Sequence, residues 1–184
     1  MKKIIGCITL VAILISGCET NSSSKSSEEK QPAQTRELLV SDVQSLEQKI
    51  SSQQTIDLSL AKSIVTAYTN FSASFPADSL APDYLFKAGD ISMNVKQGAN
   101  AIELFKKITD NYPNYKKVSF ALFLQGFVYE TQLSDTANAK RIYKQVIEKY
   151  PSSKIATDAS ASIANLGKSD EQLIKEFEKK NKAK

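Results

Sequence analysis

The sequence predicts an all-α fold built from repeated helical hairpins. An aromatic residue followed by proline occurs three times, at Phe75-Pro76, Tyr112-Pro113 and Tyr150-Pro151. These pairs are almost evenly spaced along the chain, and their separation is typical of stacked supersecondary units. From Arg36 onward apolar residues recur three and four positions apart, and no stretch shows the strict alternation of a strand.

The N-terminus has the features of a bacterial export signal. A basic start precedes an apolar run from Ile4 to Ile15, which is too short to span a bilayer as a mature helix. The sequence Ile15-Ser16-Gly17-Cys18 resembles the lipobox of bacterial lipoproteins. The resemblance implies removal of residues 1–17 and acylation of Cys18 with palmitate-like chains, which would anchor the protein without a transmembrane helix. An ordinary signal peptide with a coincidental cysteine is the alternative.

Residues 18–36 are predicted to be a disordered tether behind the lipidated cysteine. Positions 19–35 hold no large apolar side chain, so this stretch cannot repay the entropy of ordering. Glu19 follows Cys18, whereas an aspartate at that place retains lipoproteins in the inner membrane of enteric bacteria. The sequence therefore favours the outer membrane.

A helical domain is predicted over residues 37–180, followed by a basic tail at 181–184. Its first helix carries one apolar stripe with spacings of 4, 3 and 4, formed by Leu39, Val43, Leu46 and Ile50. A second helix is predicted from about Asp57 to Ser74. Near the C-terminus we expect a helix from about Lys154 to Leu166, a stop at Gly167 and a capping box at Ser169 to Gln172. The lysine-rich end from Lys175 either caps the array or is a solvated end.

Each aromatic-proline pair is predicted to end the second helix of a hairpin, because proline disfavours the α conformation of the residue before it. The positions twelve, eight and five before each proline give three matching sets: Ile64, Tyr68 and Phe71; Ala101, Phe105 and Ile108; Ala139, Tyr143 and Val146. These spacings place each set on one helix face, which is expected to pack on a neighbouring helix.

Glycine occurs at the same distance after Pro76 and after Pro113, each time inside a predicted helix. Glycine there costs about 1 kcal/mol relative to alanine, so its return predicts a close helix crossing. The pattern resembles the tetratricopeptide repeat, on Leu85, Gly89, Ala101, Phe105, Ile108 and Pro113, and on Leu122, Gly126, Tyr129, Ala139, Tyr143, Val146 and Pro151 with one residue inserted near Asp135. Ser92 replaces the expected tyrosine. The resemblance covers roughly residues 57–167 and implies an α-solenoid of two full repeats with a half unit on either side.

In tetratricopeptide arrays the first helices of the hairpins line a concave groove. The matching positions are Phe86, Asp90, Met93, Phe123, Phe127 and Glu130. The lysine and asparagine of carboxylate-binding repeats are missing here. The resemblance therefore implies an apolar groove with acidic edges, suited to an amphipathic helix or an extended peptide. Alternatively, the 39–50 helix folds across the groove and buries Phe86, Phe123 and Phe127.

Catalytic, metal and cofactor sites are not expected. The chain has no histidine, and neither Cys7 nor an acylated Cys18 would leave a free thiol in the mature protein. No glycine-rich phosphate loop occurs, and 24 basic against 20 acidic residues do not indicate a nucleic-acid partner.

The lipobox, tether and repeats together resemble the tetratricopeptide lipoproteins of bacterial envelopes, of the BamD-like barrel-assembly and Tol-Pal-associated kinds in their Bacteroidota form. The resemblance implies a membrane-anchored adaptor that binds other envelope proteins. A structural subunit of an outer-membrane complex is the alternative, and an enzyme is the third hypothesis. Ser79 and Thr136 also lie in sequences that resemble bacterial O-glycan sites, for which helix capping is the alternative.

Overall fold

The computed structural model describes residues 32–53, 55 and 57–182, and this part of the chain contains helices and no strand. The helices are α1 (Pro32–Ser51), α2 (Leu58–Ser74), α3 (Ala81–Asn94), α4 (Gly98–Asn111), α5 (Val118–Thr131), α6 (Thr136–Lys149), α7 (Lys154–Asn165) and α8 (Asp170–Lys182). From α1 to α7 each helix packs on the next one in the chain. This arrangement is a tetratricopeptide-like α-solenoid of antiparallel hairpins, and the predicted fold class is confirmed.

The three aromatic-proline turns share one backbone conformation. Phe75, Tyr112 and Tyr150 have φ near −130° and ψ between 50° and 62°. In each turn the backbone N–H of the aromatic residue donates the last hydrogen bond of the helix. The backbone carbonyl of the same residue accepts from the N–H three residues later at 3.0 Å. The helix ends two residues before the proline in all three cases. The prediction that these pairs end the second helices is confirmed.

The core lies between the first and second helices of the hairpins. The nine residues counted back from the prolines are all buried, and none of them is more than 2% exposed. Burial of a large apolar side chain contributes about 1.5–3 kcal/mol. The recurring faces of α2, α4 and α6 therefore supply much of the stabilisation of the array.

The N-terminal half unit expected from the sequence is a complete hairpin, α1–α2. The Tyr143 hydroxyl donates to Glu130 Oε2 at 2.6 Å, from α6 to α5. The Tyr68 hydroxyl donates to Glu47 Oε1 at 2.7 Å, from α2 to α1. Because Tyr68 and Tyr143 stand at the same distance before their prolines, Glu47 occupies the position of Glu130. Helix α1 is thus the first helix of an additional hairpin.

Two features concealed this hairpin in the sequence. Four residues before Glu47 stands Val43, where the corresponding position in α5 is Gly126. Val43 is fully buried. In addition, α1 has 20 residues, whereas α3 and α5 have 14, so the spacing of the repeat is lost. Where α1 crosses α2, the buried Val43 stands in place of the glycine found at the other crossings. The glycine that marks those crossings in the sequence is therefore missing here.

The boundaries of the helical part differ at both ends from those expected. Helix α1 begins at Pro32, so the last five residues of the predicted tether, 32–36, are helical. Proline is accommodated in a first turn because no intrahelical partner awaits its missing N–H. Helix α8 reaches Lys182 and includes the start of the predicted basic tail. The predicted signal peptide 1–17, Cys18 and the predicted tether up to residue 31 lie outside the described residues.

The end of α7 and the start of α8 occur where the local sequence predicts them. Gly167 has φ of 79°, the left-handed conformation that suits glycine after a helix. The Ser169 N–H donates to Gln172 Oε1 at 3.0 Å, and the Gln172 N–H donates to Ser169 Oγ at 3.3 Å. This reciprocal pair is the predicted capping box at the start of α8.

The two aspartates beside Ser79 and Thr136 both engage backbone N–H groups. Asp135 is the N-cap of α6 and accepts from the Asn138 N–H at 2.9 Å. Asp78 accepts from the Leu80 N–H at 2.9 Å. Capping and turn formation thus account for the aspartates, and both hydroxyl residues are exposed.

Candidate functional site

Two glycines hold the first helices close to the second helices. A Cβ added to Gly89 would lie 2.6 Å from Phe105 Cε1, and one added to Gly126 would lie 2.8 Å from Tyr143 Cδ1. Both rings are fully buried and have no room to withdraw. The close crossings fix α3 on α4 and α5 on α6, so that the outward face of α3 and α5 rests on a rigid support.

The other packing residues chosen from the sequence differ in how deeply they are buried. Leu85 and Leu122 are 4% exposed. Tyr129 is partly buried and packs against the cores of both repeats. The two prolines of the repeat turns, Pro113 and Pro151, are exposed.

Three phenylalanines of α5 form an exposed row, which we name the aromatic stripe: Phe120, Phe123 and Phe127. Their spacing of three and four residues places them on one helix face. Phe120 is 37% and Phe127 is 38% exposed. Phe123 is partly buried, with its ring 6.3 Å from that of Phe120 and 5.2 Å from that of Tyr143. The stripe is therefore an apolar surface that packs, through Phe123, on the buried ring of Tyr143 in α6.

Phe86 of α3 lies beside this stripe but belongs mainly to the core. It is 9% exposed, and its ring centroid lies 5.7 Å from Phe105, 6.0 Å from Phe120 and 6.4 Å from Tyr115. The ammonium of Lys117 lies 4.5 Å above the ring. The contact between Phe86 and Phe120 joins the outward faces of α3 and α5.

Phe120 is a member of this surface that sequence reasoning missed. It follows Pro113 at the same distance as Asp83 follows Pro76, and this shared register could have revealed it. Because Asp83 is a carboxylate and Phe120 an aromatic ring, the two positions share no side-chain chemistry that would have drawn attention to them.

The polar members of the predicted groove differ in their surroundings. Asp90 is exposed, and its side chain forms no hydrogen bond or ion pair with another residue in the described part of the chain. Glu130 is partly buried and accepts the hydrogen bond from Tyr143. Met93 is partly buried against the core, and its carbonyl accepts from Gln132 Nε2 at 2.9 Å.

Helix α1 extends the row of first helices and leaves the stripe uncovered. Glu47 of α1 accepts from Lys87 Nζ of α3 at 2.6 Å, as well as from Tyr68 of α2. Near its N-terminus Arg36 donates to Asp78 Oδ2 at 2.6 Å. These contacts place α1 against α2 and next to α3. The alternative is that the 39–50 helix buries Phe86, Phe123 and Phe127 together. The structure differs from it, since Phe127 keeps more than a third of its surface exposed.

Two tyrosine hydroxyls donate hydrogen bonds to carboxylates, Tyr143 to Glu130 and Tyr68 to Glu47, and these contacts affect the pKa values of the groups. Burial raises the pKa of Tyr143, and the hydrogen bond to Glu130 raises it further. Partial burial alone would raise the pKa of Glu47, but hydrogen bonds from Lys87 and Tyr68 outweigh it and hold this pKa below its ordinary value. At neutral pH the Tyr143 hydroxyl thus remains a donor and the Glu47 carboxylate remains charged.

Among the described residues, no group of three or more histidine, cysteine, aspartate or glutamate side chains is placed to hold a metal ion. A groove of about 500 Å³ runs between α2 and α4, on the side of the second helices, and its lining includes Thr69, Lys107 and Tyr112. No helix in the described ranges is long and apolar enough to cross a membrane.

Two stretches of the chain match the tetratricopeptide repeat family model, residues 83–115 and 120–153. The first stretch covers α3 and α4, and the second covers α5 and α6. No curated protein shows significant sequence similarity to the chain. Repeats of this family typically form interaction scaffolds for protein partners rather than catalytic centres. Helices α3 to α6 thus match two tetratricopeptide repeats, and helices α1 to α7 form a tetratricopeptide-like solenoid.

Proposed function

We propose that the protein is a lipid-anchored adaptor of the bacterial cell envelope, which binds another protein on the concave face formed by its first helices. The observation that carries the proposal is the aromatic stripe, whose members Phe120 and Phe127 are 37% and 38% exposed on a helix that is otherwise packed. Aromatic side chains are enriched among the residues that dominate binding energy in protein interfaces.

The stripe is preorganised for binding. Phe123 rests on the ring of Tyr143, and Phe120 contacts the rings of both Phe123 and Phe86. Side chains that are already held in position lose little rotamer freedom when a partner docks. The close glycine crossings beneath α3 and α5 add to this rigidity. A rigid aromatic surface favours a recognition role, and we propose no catalytic role for the protein.

The location rests on the N-terminal sequence. The lipobox-like Ile15-Ser16-Gly17-Cys18 supports acylation at Cys18 after removal of residues 1–17. Glu19 favours the outer membrane. The polar residues that follow would let the repeats reach a partner away from the lipid surface. This organisation is the one expected for envelope lipoproteins of the barrel-assembly or Tol-Pal-associated kind in Bacteroidota.

The test compares two charge insertions at exposed apolar residues of the full-length, tagged protein. Phe127→Glu places a carboxylate in the stripe, whereas Leu133→Glu places one in the turn after α5, where leucine is 45% exposed. After mild crosslinking and detergent solubilisation of membranes from the source bacterium, co-purifying proteins are identified by mass spectrometry. We expect Phe127→Glu to lose a partner that the wild type and Leu133→Glu both recover, with unchanged melting temperatures. Equal recovery by all three proteins would refute docking at the stripe.

A further inference from the structure

The acidic residues of the concave face can be placed by the register of the repeats. On α3, Asp83 and Asp90 flank Phe86 at spacings of three and four residues. On α5, Glu130 continues the aromatic stripe three residues after Phe127. The contact between Phe86 and Phe120 shows that these two rows run side by side. Carboxylates thus stand beside the stripe on α3 and at its C-terminal end on α5.

Helix α7 continues the same face. Asp158 follows the third proline of the repeat turns at the same distance as Phe120 follows the second. Ala156 and Ala159 are the buried residues of α7, whereas Asp158 keeps part of its surface exposed. Helix α7 also packs on α5. Asp158 therefore borders the stripe from the side opposite to α3.

None of these four carboxylates forms an ion pair within the described residues. The side chains of Asp90 and Asp158 also accept no hydrogen bond from a residue that the structure describes. Asp83 and Glu130 accept hydrogen bonds from the Tyr115 and Tyr143 hydroxyls at 2.7 Å and 2.6 Å, which orient the two carboxylates. Four carboxylates thus surround the stripe, against the ammonium of Lys117 above Phe86, although the chain as a whole has a formal charge of +4.

We infer that the partner of this face is a protein segment in which lysine or arginine alternates with apolar side chains, so that its apolar residues cover the aromatic stripe and its cations meet Asp90, Glu130 and Asp158. The inference rests on the proposed function and names the chemistry of the partner. Complementary charges at the edge of an apolar surface select partners and speed association. An aromatic ring can also accept a cation on its face, as the buried Phe86 does with Lys117 at 4.5 Å.

Two synthetic amphipathic peptides with the same leucine face, one with lysines and one with glutamates on the polar face, test the inference. Binding to the full-length protein in zwitterionic lipid nanodiscs is measured by fluorescence anisotropy, with empty nanodiscs as the blank. Exposed charge pairs each add only modestly to affinity, so we expect the lysine peptide to bind about three- to tenfold more tightly. The net charge of the whole protein would favour the glutamate peptide, and a preference for lysine therefore reports the local face.

Matched variants locate the effect. Asp90→Asn with Glu130→Gln should abolish the preference for lysine, whereas Glu103→Gln with Glu148→Gln, at exposed positions of α4 and α6, should leave it intact. Equal affinity of the wild type for both peptides, or an equal loss in the control pair, would overturn the inference. So would a concentration-dependent dimer that Phe127→Glu dissociates, because a second copy would then occupy the face.

The two proposals fail in different ways. If the native partner is lost on Phe127→Glu but is indifferent to the Asp90 and Glu130 changes, the docking function stands and the basic partner is wrong. If Phe127→Glu affects neither peptide binding nor partner recovery, the docking function itself is wrong.

Discussion

Gly89 and Gly126 are the residues on which the geometry of the two repeats depends most directly. Glycine inside a helix is unfavourable by about 1 kcal/mol relative to alanine, and here that cost permits the aromatic ring of the second helix to lie against the backbone of the first. The two fully buried rings, Phe105 and Tyr143, contribute apolar burial that outweighs it.

Gly89→Ala should therefore destabilise the protein although alanine is the better helix former. The added methyl lies 2.6 Å from Phe105 Cε1, and overpacking typically costs about 1–3 kcal/mol. After the gain in helix propensity we expect a net loss of up to about 2 kcal/mol in the free energy of unfolding by urea. Phe105→Leu in the same chain should make room for the methyl, so the double variant should show a smaller Gly89→Ala effect. A more stable Gly89→Ala protein would contradict the close crossing.

Glu47 gives the stability a dependence on pH. Its pKa is lower in the folded state than in the unfolded chain, so the folded state binds fewer protons in mild acid. The stabilisation is fully present above the ordinary carboxyl pKa and is lost as the pH falls through the lower folded value. The residue links α1 to both Tyr68 and Lys87.

Glu47→Gln should lower the melting temperature at pH 7, and this effect should shrink as the pH falls through the lowered folded pKa of Glu47, because protonation removes the charge that Lys87 and Tyr68 stabilise. Glu37→Gln, at an exposed position of the same helix, serves as the control. The exposed pair with Lys87 contributes only about 0.2–1 kcal/mol, so the difference is expected to be small but measurable by calorimetry. Parallel pH profiles for the wild type and Glu47→Gln would refute this link.

At the scale of the elements, α1 is the helix whose place in a hairpin the repeat pattern does not predict. It completes a hairpin with α2 through the buried Val43 and through the Glu47 to Tyr68 hydrogen bond. In an array where each helix contacts its neighbours, such a terminal hairpin covers the apolar face of the next unit. Its removal would expose part of the core around Phe71 and Tyr84.

Val43→Ala should destabilise the protein by roughly 1–3 kcal/mol, since it deletes two buried methyl groups and leaves a cavity between α1 and α2. Leu38→Ala is the matched control on the same helix, because Leu38 is 46% exposed. Urea unfolding of both variants measures the difference. If Leu38→Ala costs as much as Val43→Ala, then α1 is not packed through Val43.

At the scale of the whole molecule, helices α1 to α7 form one continuous array, and we propose that this array binds a partner protein and that the N-terminal sequence attaches it to a membrane. The array presents its first helices on one face, with the aromatic stripe near the middle of the row. Such an attachment through a tether would keep the array near the membrane and leave it free to turn toward a partner.

Cys18→Ala should yield an unprocessed or soluble protein, because Cys18 is the residue that would carry the acyl chains. Metabolic labelling with radioactive palmitate, followed by membrane fractionation, distinguishes the variant from the wild type. Cys7→Ala is the control, since that residue would leave with the signal peptide. Palmitate incorporated into Cys18→Ala would show that the anchor is elsewhere.

The sequence by itself determined the helices, most of their ends and the buried face of each second helix. These depend on local rules: Phe75, Tyr112 and Tyr150 end helices because proline follows, and Ser169 with Gln172 caps α8 through groups three residues apart. The glycine spacing likewise indicated where helices cross. Tertiary structure alone decided that α1 forms a hairpin with α2 and that Phe86 is buried while Phe127 is exposed, although both come from matching helices. Exposure depends on which side chains neighbouring helices bring close, here Phe120 and Lys117 over Phe86, and no pattern within a single helix specifies those neighbours.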